Sequence, residues 1–383
     1  MGMRQPPGCV NHGVSQRVSS PVGRPLAKTW HVVRAVQVFI RFPAFGFTAM
    51  LPLLGAATVS PHLTPQQMLG LVAVAFAFHC FSYVLNDVVD LPVDRTQPLR
   101  AGAPLVRGAI RPWQALVFAL SQAPLALVIT IWLEGEGRSI GALGAAFALM
   151  AVYNLWGKRA ILPLVTDVAQ GMAWGGLVLY GASLRSGHLT PVEQASLCPL
   201  TLNLFAIVVV YIVLINGVHG SLRDLDNDLK WGMRTMATLL GARPRSAAQL
   251  AIPRRFAIYA WALQALLAGL LLLPLVQNAF GYAPIAWVIT LAAVLLFTAR
   301  SLRLFATIVA NSGDRAERVS AIGPYLFASL SGLVALFALY LDRELLAVLL
   351  VACIAPLLPY GLPQVMKAVR RPFSRPTPTT TAK

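Results

Sequence analysis

Ten stretches of this 383-residue chain stay apolar over about 20 residues, and they constrain the fold more than any other feature. They run from Val36 to Ala57, Gln67 to Asn86, Trp113 to Leu133, Ile140 to Trp156, Leu162 to Ser183, Pro199 to His219, Phe256 to Val276, Ala283 to Ala299, Ala321 to Leu341 and Leu345 to Met366. A helix of that length crosses the hydrocarbon of a bilayer, where only helices and closed barrels satisfy their own backbone groups. With 57% hydrophobic side chains, 12% charged ones and a mean hydropathy of +0.67, the chain lacks the polar surface of an ordinary water-soluble domain. These features predict an all-α, polytopic membrane helical bundle of nine or ten transmembrane helices. The tenth stretch contains Pro356, Pro359 and Pro363, so it can span, kink or lie in the interface.

The net charge of +17 does not indicate nucleic acid, because the basic residues fill short gaps between the apolar runs. Of the 31 Lys and Arg residues, all but Arg41, Arg138, Arg185 and Arg343 fall in the two tails and in the gaps after the second, fourth, sixth and eighth runs. Basic residues accumulate on the cytoplasmic side, which predicts a multi-pass protein of the cell membrane with both termini and those four gaps in the cytoplasm. Residues 1–35, rich in Pro, Gly, Ser and Arg, and residues 367–383, rich in Pro and Thr, read as disordered cytoplasmic tails around one membrane domain, 36–366. The long first run does not match a signal peptide. Cys9, Cys80, Cys198 and Cys353 are scattered without metal-ligand spacing and read as packing residues.

Six of the 14 acids gather in two of the cytoplasmic gaps. The gap after the second run holds Asp87, Asp90 and Asp94, preceded by Asn86; the gap after the sixth holds Asp224, Asp226 and Asp228. Asp90 and Asp94 are repeated at the same spacing by Asp224 and Asp228. Asn86 and Asp90, four residues apart, project from the same side of a helix end, and Asp94 can fold back toward them. Carboxylates brought together repel unless a cation lies between them, and hard oxygen donors suit magnesium. Two acid clusters on one face can then hold a diphosphate through bridging cations, with Lys158, Arg159, Arg223 and Arg95 available to neutralise the remaining charge. Arg41 and Asp167 lie inside apolar runs, where charge is costly. Arg41 is expected to face the interior or snorkel, and Asp167 either orients substrate or pairs with Lys158 or Arg159.

At these residues the chain resembles the UbiA superfamily of intramembrane prenyltransferases. The first motif is Asn86, Asp87, Asp90, Asp94 and the second is Asp224 to Asp228; the similarity reaches from the first run to Gly241 and includes Tyr153 to Arg159. The resemblance implies a helical bundle around a central cavity open to lipid, with Asp87, Asp90, Asp94, Asp224 and Asp228 binding magnesium and Asn86 supporting them. Lys158 and Arg223, with Arg159 nearby, would contact the diphosphate, and Asp90, Asp94, Asp224 and Asp228 would be the catalytic acids. The implied partners are a prenyl diphosphate, a lipophilic acceptor and membrane lipid. An allylic cation shielded from water would be met by the π faces of Phe81, Tyr83, Tyr153, Trp156 or Trp174. Ala103 departs from the pattern at a commonly basic position, which unsettles the usual acceptor contacts.

Two other readings compete. A terpene cyclase on the same scaffold shares the ionisation step and needs no acceptor site. A transporter for an anionic substrate would carry its charges near the bilayer midplane, often in inverted repeats. Here the acids lie at one face and the clusters share one orientation.

Overall fold

The computed structural model describes residues 36–97, 100–187, 198–246, 248–311 and 314–360. The two tails, Cys9 and the side chain of Lys158 lie outside the described residues. Each apolar run forms a helix: α1 (Phe45–Ala57), α2 (Pro65–Val89), α3 (Pro112–Trp132), α4 (Gly137–Trp156), α5 (Pro163–Ser186), α6 (Pro199–Arg223), α7 (Arg254–Val276), α8 (Pro284–Val309), α9 (Arg315–Ala338) and α10 (Arg343–Ile354). Seven of these, α2, α3, α4, α6, α7, α8 and α9, are long and apolar enough to cross a bilayer. The chain is a multi-pass integral membrane protein.

Helix α5 has 24 residues but a more polar composition, and α1 has 13 residues. With 12 residues, α10 reaches only about 18 Å as a helix before it tightens into a 3-10 segment, Ala355–Tyr360, at the prolines noted in the sequence. The expected count of nine or ten crossing helices is therefore seven by length and composition among the described residues. The only sheet there is a two-residue hairpin, β1 (Arg243–Pro244) with β2 (Leu250–Ala251).

Helix α5 is the hub, packed on α1, α4 and α6. Its glycines explain why. A Cβ on Gly181 would strike the backbone of Pro52 in α1, one on Gly171 the backbone of Val209 in α6, and one on Gly176 the side chain of Ala146 in α4. In the reverse direction, Gly55 of α1 meets the backbone of Val178. Lipid gives no hydrophobic drive for one helix to seek another, so close backbone approach at small residues supplies much of the packing. Outer helices show the complementary pattern: the most apolar windows of α3, α7 and α8 are only 28%, 28% and 22% buried, presenting residues such as Val128, Leu266 and Leu296 outward.

Polar groups inside the bundle are paired across helices. The His79 Nε2–H donates to the Ile40 carbonyl at 2.8 Å, leaving Nδ1 to accept from the Thr48 hydroxyl at 2.8 Å. Thr58 and Thr201 share a hydrogen bond at 2.6 Å, and Tyr325 donates to Gln264 at 2.7 Å. Arg318, 4% exposed, donates to the carbonyls of Ile308 and Ala310 and so closes the carboxyl end of α8. Cys80 is buried and Cys198 and Cys353 are half-buried, all as free thiols, in keeping with packing roles.

Candidate active site

The two acid-bearing loops meet at one end of the bundle. Helix α2 ends at Val89, with Asp90 as its C-cap, and the chain turns at once into a short helix, Leu91–Asp94, favoured by Pro92 in its first turn. The turn brings Asp94 back: its amide donates to the Asp90 carbonyl at 2.9 Å. The second loop repeats the device. Asp224 caps the short helix Leu225–Lys230, and the Asp228 amide donates to the Asp224 carbonyl at 2.9 Å. Just before it, residues Ile215–Gly220 of α6 form a π turn, a wider winding often found at functional sites.

The loops are joined through Thr96. Its hydroxyl donates to the Val93 carbonyl at 2.7 Å, lies 3.3 Å from Asn227 Oδ1 and accepts the indole N–H of Trp231 at 3.0 Å. This cross-loop contact holds the two acid clusters over one opening. Sequence spacing gave no sign of it, because Thr96 and Trp231 are 135 residues apart.

Beneath lies a cavity of about 280 Å³. Asn86, Asp90, Asp94, Asp224 and Asp228 all line it, together with Arg223. Its deeper wall includes Phe47, Tyr83, Met150, Tyr153, Trp174 and Ile212. Four carboxylates from two loops thus stand at the mouth of a pocket that becomes apolar and aromatic inside. Such hard oxygen donors fit magnesium.

Other expected residues are placed differently. Asp87 is absent from the cavity wall and forms an ion pair with Arg41. The reason is helical geometry: one residue on from Asn86 is about 100° around the helix, which carries Asp87 toward the chain entering α1. Arg41 also lies 3.4 Å from Asn86 Oδ1, and its guanidinium sits 4.9 Å from the centre of the Tyr83 ring. Its backbone is left-handed, with φ of 50°, an uncommon conformation for a residue with a side chain.

The expected convergence of three first-loop carboxylates on one ion is not seen either; among the described residues no three acids, histidines or cysteines form a metal-binding group. Guanidinium groups lie against acids of both loops. Arg100 Nε lies 3.8 Å from Asp94, and Arg223 grips Asp224 with Nε and Nη2 at 2.9 and 2.8 Å. Asp226 points away and pairs with Arg315. Arg159 is exposed beyond the turn after α4 and does not line the cavity, and Arg95 is likewise exposed. Phe81 packs on Phe147, and Trp156 is 55% exposed on the outer face, so of the expected aromatics Tyr83, Tyr153 and Trp174 reach the cavity.

Burial pushes the Asp94 carboxyl above the ordinary carboxylate range; Arg100 opposes the rise, while Asp87 and Asp90 add to it. The hydrogen bond from Arg315 holds Asp226 below its ordinary value against the smaller upward effect of burial.

The cavity also contains residues to which motif reading gave no role. Gln97 and Arg100 follow the first motif, and Arg234 and Thr235 follow the second; Gln170, Asn216 and His219 come from the helices. The arginines carry the same signal as any cytoplasmic basic residue, so composition does not separate ligands from topology signals. Gln170 was legible in principle, lying three residues beyond the out-of-place Asp167. Asp167 itself lines the cavity and makes no ion pair with the exposed Arg159.

Comparison with known proteins agrees with this geometry. A sequence model described as the UbiA prenyltransferase family matches residues 45–322. Digeranylgeranylglyceryl phosphate synthase of Pyrococcus abyssi is 28% identical over 192 residues, which is 50% of this chain and 63% of that protein. The 4-hydroxybenzoate octaprenyltransferase of Burkholderia mallei is 27% identical over 178 residues, 46% of this chain and 57% of that protein. The chain thus matches less than two thirds of the length of these relatives. Among solved structures, the apo structure of a UbiA homolog from Aeropyrum pernix K1 superposes with a TM-score of 0.59 at 19% identity, covering 78% of this chain and 98% of that one. A UbiA homolog from Archaeoglobus fulgidus bound to GPP and Mg2+ gives a TM-score of 0.56 at 16% identity, covering 80% and 99%. At these identities the structures establish a shared fold.

Proposed function

Because the chain belongs to the UbiA prenyltransferase family, we propose that it is a magnesium-dependent intramembrane prenyltransferase, moving a prenyl group from an isoprenoid diphosphate to an aromatic or other lipophilic acceptor. The observation that carries the proposal is the single cavity lined at its mouth by Asp90, Asp94, Asp224 and Asp228 and deeper in by aromatic and aliphatic side chains. A prenyl diphosphate has the same polarity, one highly charged end on an apolar chain. The Archaeoglobus fulgidus homolog, whose structure holds GPP and Mg2+, supports the choice of ligand.

Asp90, Asp94, Asp224 and Asp228 would hold the magnesium, which supplies charge neutralisation for the diphosphate as it leaves. Asp87, committed to Arg41, supports the first loop from behind. Arg100 and Arg223 stand beside the acids at the mouth, where their fixed positive charge favours a departing anion over an intact ester. Arg234 adds a third guanidinium to the same wall. Lys158, in the segment after α4, remains in the proposed diphosphate set, whereas Arg159 is less well placed. Within the cavity, Tyr83, Tyr153 and Trp174 present π electrons to the allylic cation, and the apolar walls keep water from capturing it before the acceptor does. The basic-residue bias supports a cytoplasmic mouth, which would admit a water-soluble or amphiphilic diphosphate while the acceptor arrives through the lipid.

The test is diphosphate release by the purified full-length chain, with allylic diphosphates of several lengths, with and without magnesium, and with organic products identified by mass spectrometry. Magnesium-dependent release coupled to an added lipophilic acceptor supports the transferase. A cyclic hydrocarbon formed without acceptor establishes the cyclase in its place, and no release from any donor removes both.

A further inference from the structure

A second, smaller cavity of about 40 Å³ lies beside the acid mouth, between α6, α8 and α9, and the prenyl-transfer chemistry does not use it. Its wall carries Arg223, Arg315, Arg318 and His219, and no carboxylate among the described residues lines it. His219 is 2% exposed and packs against Tyr325 and Phe305, with ring centroids 4.5 and 5.8 Å away; neither ring nitrogen has a hydrogen-bond partner among the described residues. Arg318 is 4% exposed and donates to the carbonyls of Ile308 and Ala310. Arg223 and Arg315 pair with Asp224 and Asp226, which stand outside this wall, yet Arg315 Nε is buried without a partner. A topology signal needs basic residues near the membrane surface and does not need them buried, whereas a buried guanidinium is costly unless it is offset.

Guanidinium nitrogens only donate hydrogen bonds, and a neutral imidazole adds one N–H, so the wall suits an anion with several oxygens. A single water needs about 10–15 Å³ of such space, which leaves room here for the oxygens of one phosphate group. Val319, 53% exposed, forms the outer rim of the cavity. From that rim the exposed residues Val319, Gly323 and Phe327, four apart, run down the outer side of α9. Nothing lies within 4 Å of a Cβ at Gly323, so the stripe has a shallow groove in it. Basic pockets between membrane helices hold the headgroups of anionic lipids. We infer that this pocket binds the phosphate of an anionic phospholipid of the adjoining leaflet, with an acyl chain laid along the α9 stripe. Free phosphate would satisfy the same guanidinium groups but has no use for the stripe. The inference is independent of the prenyl-transfer reading, although Arg223, His219 and Ile322 line both cavities and set the lipid phosphate close to the acid mouth.

The experiment titrates the full-length protein in neutral detergent, without magnesium or donor, with short-chain phosphatidylglycerol and reads binding by calorimetry. Short-chain phosphatidylcholine and inorganic phosphate are the comparison probes. Phosphatidylglycerol should fill one site, and both comparison probes should bind at least about tenfold more weakly, since choline sets a cation against the arginines and inorganic phosphate lacks an apolar tail. Arg315→Gln and His219→Leu should each raise the Kd for phosphatidylglycerol roughly ten- to hundredfold, the effect of losing a hydrogen bond to a charged group. Gly323→Leu, which fills the groove, should weaken phosphatidylglycerol and leave inorganic phosphate unchanged. Arg303→Gln, at an exposed position of α8 outside the cavity wall, and Asp90→Asn at the mouth should leave the lipid Kd at its wild-type value. Unchanged binding in both Arg315→Gln and His219→Leu overturns the inference, and His219→Leu with Gly323→Leu carries the test if Arg315→Gln does not fold. Phosphatidylcholine that binds as tightly as phosphatidylglycerol overturns it as unselective lipid contact, and inorganic phosphate that binds as tightly overturns the lipid in favour of the free anion. An equal loss in Arg303→Gln reduces the effect to diffuse surface charge, and a loss in Asp90→Asn moves the site to the mouth; either result also overturns it.

Discussion

Asp87 belongs by sequence to the first metal motif, yet in the structure it faces Arg41, and the two roles predict different outcomes for one pair of substitutions. The Asp87 side chain is 10% exposed and that of Arg41 is 26% exposed. Arg41→Met would leave a carboxylate buried at 8% residue exposure close to Asp90 and Asp94, with Asn86 as its nearest polar neighbour along the helix. Breaking a buried pair from one side costs about 3–5 kcal/mol. Each kcal/mol corresponds to about 2–4 °C in the unfolding midpoint of a domain of 150–250 residues. The single variant should therefore melt about 6 °C or more below wild type in detergent, read by size-exclusion chromatography after heating. Asp87→Asn should cost less, because the guanidinium left behind reaches water. The double variant, Arg41→Met with Asp87→Asn, should recover most of the loss, with a coupling of about 2 kcal/mol or more between the two sites. If Asp87 acts only by holding Arg41, the magnesium concentration for half-maximal diphosphate release stays at the wild-type value in the double variant. A large rise in that concentration for Asp87→Asn, with its melting temperature unchanged, would refute the pairing argument and return Asp87 to the metal.

Asp90→Asn and Asp228→Asn should each lower magnesium-dependent diphosphate release by about a hundredfold or more while membrane insertion and elution volume stay normal; near-full activity in both would remove the acid mouth as the site. Thr96→Val removes the hydroxyl that links Val93, Asn227 and Trp231, and should cost about 1–2 kcal/mol and raise the magnesium requirement, measured by thermal shift and by titrating release against the metal. Asp226→Asn should change stability by less than about 1 kcal/mol, because the carboxylate is 54% exposed where it pairs with Arg315. Gly181→Leu should abolish monodisperse protein by forcing α1 from α5 at Pro52, whereas Gly141→Leu, with nothing within 4 Å of its Cβ, should express as wild type.

Most of the architecture was legible because the bilayer imposes a length on every crossing helix. Each of the ten helices overlaps one apolar run, but the ends differ: α2 starts at Pro65 with a Thr64–Gln67 capping box, α8 continues ten residues past its run to Val309, and α9 begins six residues before its own at Arg315. Crossing was less legible. Helix α5 is polar enough to look marginal because it lies inside, and α10 stops at Ile354 ahead of its prolines. For the site, the repeated spacing of Asp90 with Asp94 and Asp224 with Asp228 located the mouth, since two short helices present their acids in the same way. The sequence did not distinguish which acids face the cavity. Asp87 differs from Asn86 only by one step around a helix, and the partner that claims it, Arg41, is 46 residues away. Arg100 and Arg159 were equivalent as cytoplasmic basic residues, but one follows a chain folding back over the mouth and the other a turn leading outward.

The way irregular backbone is distributed ties the fold to the chemistry. Non-helical hydrogen bonding at membrane depth is tolerated only where protein or a cavity surrounds it. Among the described residues, the departure from α-geometry within a long helix is the π turn Ile215–Gly220, and it contributes Asn216, His219 and Gly220 to the cavity wall. An extra residue in a turn widens the helix and swings the following residues, Arg223, Asp224 and Asp228, relative to the apolar segment below. The turn also sets Gly217 against Asp167 and Tyr259. One local deviation in α6 therefore shapes both the acid mouth and the cavity wall below it. Restoring regular α-winding by deleting a residue within 215–220 should lower magnesium-dependent diphosphate release further than Asp228→Asn does, read in the same release assay, and equal losses in the two variants would deny the turn any role beyond placing Asp228.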